Sequence, residues 1–210
     1  VGSHAPLDQI ITRNTVRRAL GMLADGMFVQ PIHGKGVRVI WLKGETDMLG
    51  ALEEVESFGE FAKRNNAVAS TEVKSFEHLI CTEQLSRRLG FKVGEELIRV
   101  VRVRSLNGNA RQVDHGYFLE SIAKGLTPEI AAKSIYDYLE HKRGVKVMAS
   151  RRTVSVELAN DEDCSYLDLG KYNCVAVMES QSYTSDGILF EVTHARTHPE
   201  IFHYRVNSKR

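Results

Sequence analysis

Residues Leu97–Phe118 read LIRVVRVRSLNGNARQVDHGYF, two strand-forming runs on either side of Asn107-Gly108. Apolar and β-branched residues recur through both runs. Asn-Gly tolerates the positive φ angles that a two-residue hairpin turn requires, so the spacing predicts a β-hairpin. Side chains alternate across a strand, so Arg102 and Arg104 share one face with Ile98, Val100 and Leu106. A face that mixes apolar residues with two arginines needs a partner for the charges. Two guanidinium forks side by side suit a phosphate. A carboxylate on a neighbouring strand serves equally well, and the residues alone leave both possibilities open.

The same order recurs further along. CTEQLSRRLG (Cys81–Gly90) precedes the first hairpin as a short helix closed by glycine. NDEDCSYLDLG (Asn160–Gly170) has the same character and precedes CVAVMESQSY, the turn Asp186-Gly187, and ILFEVTHARTH. Between the halves, Pro128 to His141 is expected as one helix ending near Arg143-Gly144, and Val145 to Leu158 as a strand. The fold class expected is α+β, with a largely antiparallel sheet and two pseudo-equivalent helix–hairpin units. Asp114 and Glu191 follow their hairpin turns with the same parity and so occupy the same relative face. They are acceptors for sugar hydroxyls or, equally, solvated sheet charges. Ser57-Phe58-Gly59-Glu60 fits a capping box that starts a helix. Its free amides, one from glycine, are also a place for an anion.

The N-terminal part is built differently. Thr12 is placed to cap a helix from Arg13 to about Ala24, with Val16, Ala19, Leu20 and Leu23 as its apolar stripe. Arg13, Asn14, Arg17 and Arg18 lie away from that stripe, the layout of a helix that packs on one side and reads DNA on the other. Met27–Ile32 and Val37–Trp41 are expected strands around the basic turn His33-Gly34-Lys35-Gly36. Taken alone, a basic helix is more often a solvated face. The order helix, hairpin, Gly-Lys-Gly tips the balance toward DNA.

Bulk properties narrow the field. The 210 residues carry a net charge of only +1, so nucleic-acid binding must be local. The 42% hydrophobic content supplies a core. Cys81, Cys164 and Cys174 lack metal or disulfide spacing, which points to free thiols in a reducing compartment. No apolar run is long enough for a bilayer, and the opening Val1-Gly2-Ser3-His4 resembles a tag remnant. His194 and His198 are four apart, but on a strand they do not converge on a metal. Trp41 is expected to pack at a domain boundary.

TRNTVRRAL, Gly26 and GKG resemble the winged helix of GntR-type bacterial transcription regulators. That resemblance implies that Arg13, Thr15 and Arg17, flanked by Asn14 and Arg18, contact operator DNA from the helix. Lys35 with Gly34 and Gly36 would contact it from the wing. The family carries two further helices ahead of this point, so the winged helix written here is a partial one.

The remainder resembles the UTRA effector domain of HutC-type GntR regulators, which shares the chorismate lyase fold. SFGE, the Arg-Val-Arg pair with its Asn-Gly turn, KSIYDYLE (Lys133–Glu140), LDLG and FEVTHARTHPEIFHY carry that likeness. It implies that Arg102 and Arg104, with the amides of Ser57, Phe58 and Gly59, hold the phosphate of a phosphosugar, trehalose 6-phosphate being favoured. Asp114, Ser134, Tyr136 and Glu191 would line the sugar.

The domains expected are a partial winged helix (1–41), a linker (42–55) and an effector-binding domain (56–210). The function expected is a cytoplasmic, homodimeric repressor of a sugar-uptake or catabolism operon, released from two-fold-related operator half-sites by its effector, with no metal, cofactor or membrane partner. The alternative is an enzyme of chorismate-lyase-like fold acting on a small anion. Against it, no catalytic set is apparent, and an enzyme has no use for the DNA-reading segment.

Overall fold

A computed structural model of the chain describes residues 12–40, 49–50 and 55–204. They fall into two compact units that divide near residue 46. The expected linker, 42–55, lies outside the described residues apart from Leu49, Gly50 and Val55, as do Trp41 and the first eleven residues.

In the first unit, α1 (Arg13–Asp25) starts where Thr12 is extended and accepts the Thr15 amide at 3.2 Å. It is followed by β1 (Val29–Ile32) and β2 (Gly36–Val39), paired antiparallel. Met27 takes a positive φ of 59°, which turns the chain out of the helix and starts β1 two residues later than expected. Within the turn, Gly34 (φ 71°) and Gly36 (φ 92°) occupy conformations that side chains rarely adopt.

The second unit begins with β3 (Leu49–Gly50), α2 (Phe58–Arg64), β4 (Ala69–Ile80), α3 (Glu83–Leu89), β5 (Glu96–Leu106) and β6 (Asn109–Leu119). It continues with α4 (Pro128–Ala131), α5 (Ile135–Arg143), β7 (Val147–Leu158), α6 (Asp161–Tyr166), β8 (Cys174–Thr184) and β9 (Leu189–Thr197). A 3₁₀ turn (Pro199–Ile201) then leads to β10 (His203–Tyr204), which pairs parallel with β3.

Among the described residues, six strands form one antiparallel sheet in the order β4-β5-β6-β9-β8-β7. Each half is a strand, a helix and a hairpin. The hairpin ends β6 and β9 join the halves, from Gln112↔Thr197 to Phe118↔Glu191. The Asn107-Gly108 turn has the two positive φ angles that the sequence requires, 51° and 83°.

Two expectations need correction. The helix from Pro128 to His141 is two helices. Ser134 leaves helical geometry (φ −132°, ψ 114°) and its hydroxyl accepts the Asp137 amide, so it starts α5 rather than continuing α4. The edge strand β4 was not anticipated. Its sequence ASTEVKSFEHLI is largely polar and mostly exposed, which leaves little apolar alternation to read.

The packing brackets one part of the sheet face. At one end Ile98, Val100 and Phe118 pack with Ile135 and Leu139 of α5. At the other, Leu106 packs with Ala62 of α2 and Ile201. The opposite face is covered by α6, where Leu167 and Leu169 meet Val101, Val113, Val175 and Val177. Arg102 and Arg104 lie between the first two clusters, on the same face.

Candidate functional site

The interval between those clusters is a cavity of about 180 Å³. Its floor is the sheet face from β5 to β7. The starts of α2 and α5 form two walls, and the Ile201–Tyr204 segment forms a third. All nine residues expected to hold the effector line it: Ser57, Phe58 and Gly59 from α2, Arg102 and Arg104 from β5, and Asp114, Ser134, Tyr136 and Glu191.

The arginines do pair with a carboxylate on the neighbouring strand, and it is Asp114. Arg102 sits directly opposite Asp114 in the β5–β6 register. Its Nη2 donates to Asp114 Oδ2 at 2.6 Å. Arg104 donates to the same oxygen from Nε at 3.1 Å and Nη2 at 2.7 Å. One oxygen therefore serves two guanidinium groups. The Arg102 and Asp114 side chains are each 3% exposed, and Arg104 is 13% exposed. The buried Nε of Arg102 finds no hydrogen-bond partner among the described residues. Burial disfavours the charge on Arg102, and Arg104 beside it adds to that, so its pKa is lowered despite Asp114. For Asp114 burial works upward, but the two guanidinium groups outweigh it and hold the carboxyl below its ordinary range. By hydrogen bonding, the cluster sets two guanidinium groups against one carboxylate. It also keeps spare donors, which is the electrostatic condition for taking up an anion.

A second network lies toward α5. Tyr136 Oη donates to Glu191 Oε2 at 2.5 Å and lies 3.1 Å from Ser182 Oγ, which reaches Ser150 at 3.5 Å. Burial raises the pKa of Glu191 against the pull of Tyr136 and Arg102. Burial, then the Glu191 carboxylate, pushes the Tyr136 phenol well above its usual value. Ser134 is placed here by its capping role. At α2 the capping box closes in both directions: Ser57 Oγ accepts the Glu60 amide at 3.3 Å and Glu60 Oε2 accepts the Ser57 amide at 2.8 Å. That engages the Ser57 amide internally and leaves the Phe58 and Gly59 amides of the three expected. The Phe58 ring also lies 5.2 Å beneath the Arg104 guanidinium, a cation–π contact.

The cavity has polar residues that sequence reasoning missed. Arg152 and Ser150 from β7, Ser180 from β8, Thr193 from β9, Lys133 and Tyr204 all line it. Ser150 and Arg152 are two apart on β7 and so share one face. No signal in the sequence placed that face beside Arg102.

In the first unit, Arg13, Asn14, Thr15, Arg17 and Arg18 are all exposed on α1, and Gly34, Lys35 and Gly36 are exposed in the turn. Among the described residues of the α1 stripe, Val16 is 46% and Leu23 41% exposed. In the second unit, His198 is buried and hydrogen-bonds the Asp168 carbonyl, a packing role. Among the described residues no cluster of three or more His, Cys, Asp or Glu is placed to hold a metal ion, and no helix is long and apolar enough to cross a membrane.

Residues 64–203 match the UTRA domain. The chain belongs to the UTRA domain family. Over 193 residues this UTRA protein is 30% identical to the HTH-type transcriptional regulator TreR of Bacillus subtilis strain 168, covering 92% of the chain and 80% of the relative. It is similar to the solved effector binding domain of the B. subtilis trehalose repressor TreR, with a TM-score of 0.60, 27% identity, 67% of this chain and 98% of that one. It shares its fold with the possible transcriptional regulator YydK of B. subtilis, at a TM-score of 0.70 and 22% identity, over 95% of this chain and 84% of that one. The protein is therefore a GntR-type transcription regulator with a UTRA effector domain, and not an enzyme. Regulators of this family bind operator DNA and small-molecule effectors.

Proposed function

We propose that this UTRA regulator represses a sugar-uptake or catabolism operon in the cytoplasm and leaves its operator when a phosphosugar binds. Trehalose 6-phosphate is the favoured effector, on the strength of the similarity to a trehalose repressor. One observation carries the anionic part of the reading: two arginines, Arg102 buried and Arg104 largely so, share a single carboxylate oxygen at the floor of an otherwise hydroxyl-rich cavity. A phosphate dianion supplies the missing negative charge and accepts from the spare guanidinium donors and the Phe58 and Gly59 amides. Glu191, Tyr136 and Ser134 then face the sugar hydroxyls.

Residues 1–41 are the DNA-reading part, 42–55 the linker and 56–210 the effector domain. Arg13, Asn14, Thr15, Arg17 and Arg18 read the major groove and its phosphates, and Gly34, Lys35 and Gly36 meet the backbone at the wing. The regulator acts as a homodimer on two-fold-related half-sites. Effector bound between α2 and β5 shifts the start of α2 and with it the linker, which alters the spacing of the two recognition helices. A coupling of about 1–3 kcal/mol gives a 5- to 150-fold fall in operator affinity. Fluorescence anisotropy on operator DNA, with trehalose 6-phosphate, glucosamine 6-phosphate and the unphosphorylated sugars, tests this. Release by phosphosugars alone is the expected result. Operator affinity indifferent to every phosphosugar would sink the switch.

A further inference from the structure

We infer that Arg152 is a specificity-determining residue of this cavity, reading the end of the effector remote from Arg102 and Arg104 and selecting a phosphorylated disaccharide over a phosphorylated single ring. The inference rests on the phosphosugar reading above.

Geometry sets the distance. Arg102 lies on β5 and Arg152 on β7, four strand intervals away in the order β5-β6-β9-β8-β7. At the usual spacing their backbones are about 19 Å apart across the sheet. The registers place Arg152 opposite Ser180, Ser180 opposite Thr193, and Thr193 opposite Gly116. Arg102 belongs to the adjoining row, with Asp114, Ala195 and Met178. Strand alternation turns both rows to the same face, and Arg102, Arg152, Ser180 and Thr193 all line the one cavity.

Chemistry sets the class of ligand. Arg152 thus stands at the opposite end of the cavity floor from the Arg102–Arg104 pair. The ground between them offers the hydroxyls of Thr193 and Ser180 and the Glu191 carboxylate, with the Ser150 hydroxyl beside Arg152 on β7, groups that donate to and accept from sugar hydroxyls. Gly116 contributes no side chain of its own to the row, and the Phe118 ring fills the space beside it. Arg152 is half-buried, and its charge acts on Tyr136 at one wall and Tyr204 at another. A guanidinium so placed is a donor for hydroxyl or glycosidic oxygens of a second ring that extends across the floor toward β7.

Calorimetric titration of the full chain with trehalose 6-phosphate and with glucose 6-phosphate is the test. The wild type is expected to bind the disaccharide phosphate at least about 10-fold more tightly, the value of one charge-assisted hydrogen bond. Arg152→Ala should lower that affinity by roughly 10- to 100-fold and leave glucose 6-phosphate within about twofold, removing the preference. Arg152→Gln carries the same expectation should the alanine variant fail to fold. Equal wild-type affinities, or an Arg152 variant that weakens both ligands alike or neither, overturn the inference and leave the phosphosugar reading standing. If the wild type binds neither ligand, the phosphosugar reading fails and takes the Arg152 role with it.

Discussion

Two arginine clusters occupy opposite faces of one sheet. Arg196 on β9 is saturated. Its Nε and Nη2 bond Asp163 at 2.9–3.0 Å, Nη2 also reaches the Leu158 carbonyl at 3.2 Å, and Nη1 bonds Glu157 at 2.5 Å. Two carboxylates answer one guanidinium, and hydrogen bonding to Asp163 raises the Arg196 pKa. In the cavity the ratio is inverted: one carboxylate answers two guanidinium groups, and burial lowers the Arg102 pKa. Asp163 also closes the capping box of α6, so its cluster fastens a helix to the sheet. The Asp114 cluster fastens β5 to β6, strands already joined by backbone bonds. A saturated arginine holds the fold, whereas an arginine pair short of negative charge waits for an anion.

The largest effects should separate these clusters. Asp163→Ala removes a fully buried partner and a helix cap, and a loss of about 3–5 kcal/mol is expected in urea unfolding. Inorganic phosphate should not restore it. Asp114→Asn should also destabilise, because it leaves two guanidinium groups uncompensated. There phosphate or sulfate at millimolar concentration should recover part of the loss, by binding the folded state in place of the carboxylate. Equal recovery in both variants would erase the distinction.

Next in size is Arg104→Ala. It should cost about 2–5 kcal/mol in phosphosugar affinity by calorimetry, the range for a desolvated charge pair across an interface. The unfolding midpoint should move far less.

The two cavity carboxyls should respond to pH with opposite signs. Asp114 has a depressed pKa when folded, so its stabilising share is present above the unfolded value of about 3.9 and is lost as pH falls through the folded one. Glu191 has a raised pKa. Its share is present below the unfolded value of about 4.3 and is lost as pH rises through the folded one, so its ionised form weighs against folding. Glu191→Gln keeps an acceptor for Tyr136. Its stability relative to wild type should rise as pH increases above about 4, measured by thermal unfolding, while sugar affinity drops. A flat difference would remove the burial account. The smallest change is Ser57→Ala, which should cost about 0.5–2 kcal/mol as a lost cap.

Local chemistry was legible in the sequence. Asn107-Gly108 fixed the first hairpin, the capping residues Thr12 and Ser57 marked helix starts, and parity put Arg102 beside Arg104 and set Asp114 and Glu191 on matching faces. What needed tertiary structure was adjacency. Nothing local says that β6 lies against β9, and without that neither the placing of Arg152 over the same cavity nor the shared floor of Asp114 and Glu191 follows. The choice between phosphate and carboxylate as the arginine partner was open for the same reason, because it depends on cross-strand register. Ser134 shows a limit of local reading: the helix expected over Pro128 to His141 ran through a residue whose side chain prefers to cap. The mostly polar edge strand β4 shows it from the other side.

The β6–β9 junction has a kinetic consequence. Gln112 pairs with Thr197, 85 positions later, whereas each hairpin closes within a few residues. Loop-closure entropy makes the hairpins early and the junction late in folding. A ligand lying from β5 to β7 bridges that late seam. Its occupancy would therefore slow unfolding more than it speeds folding, so the lifetime of the folded regulator would track the supply of its effector.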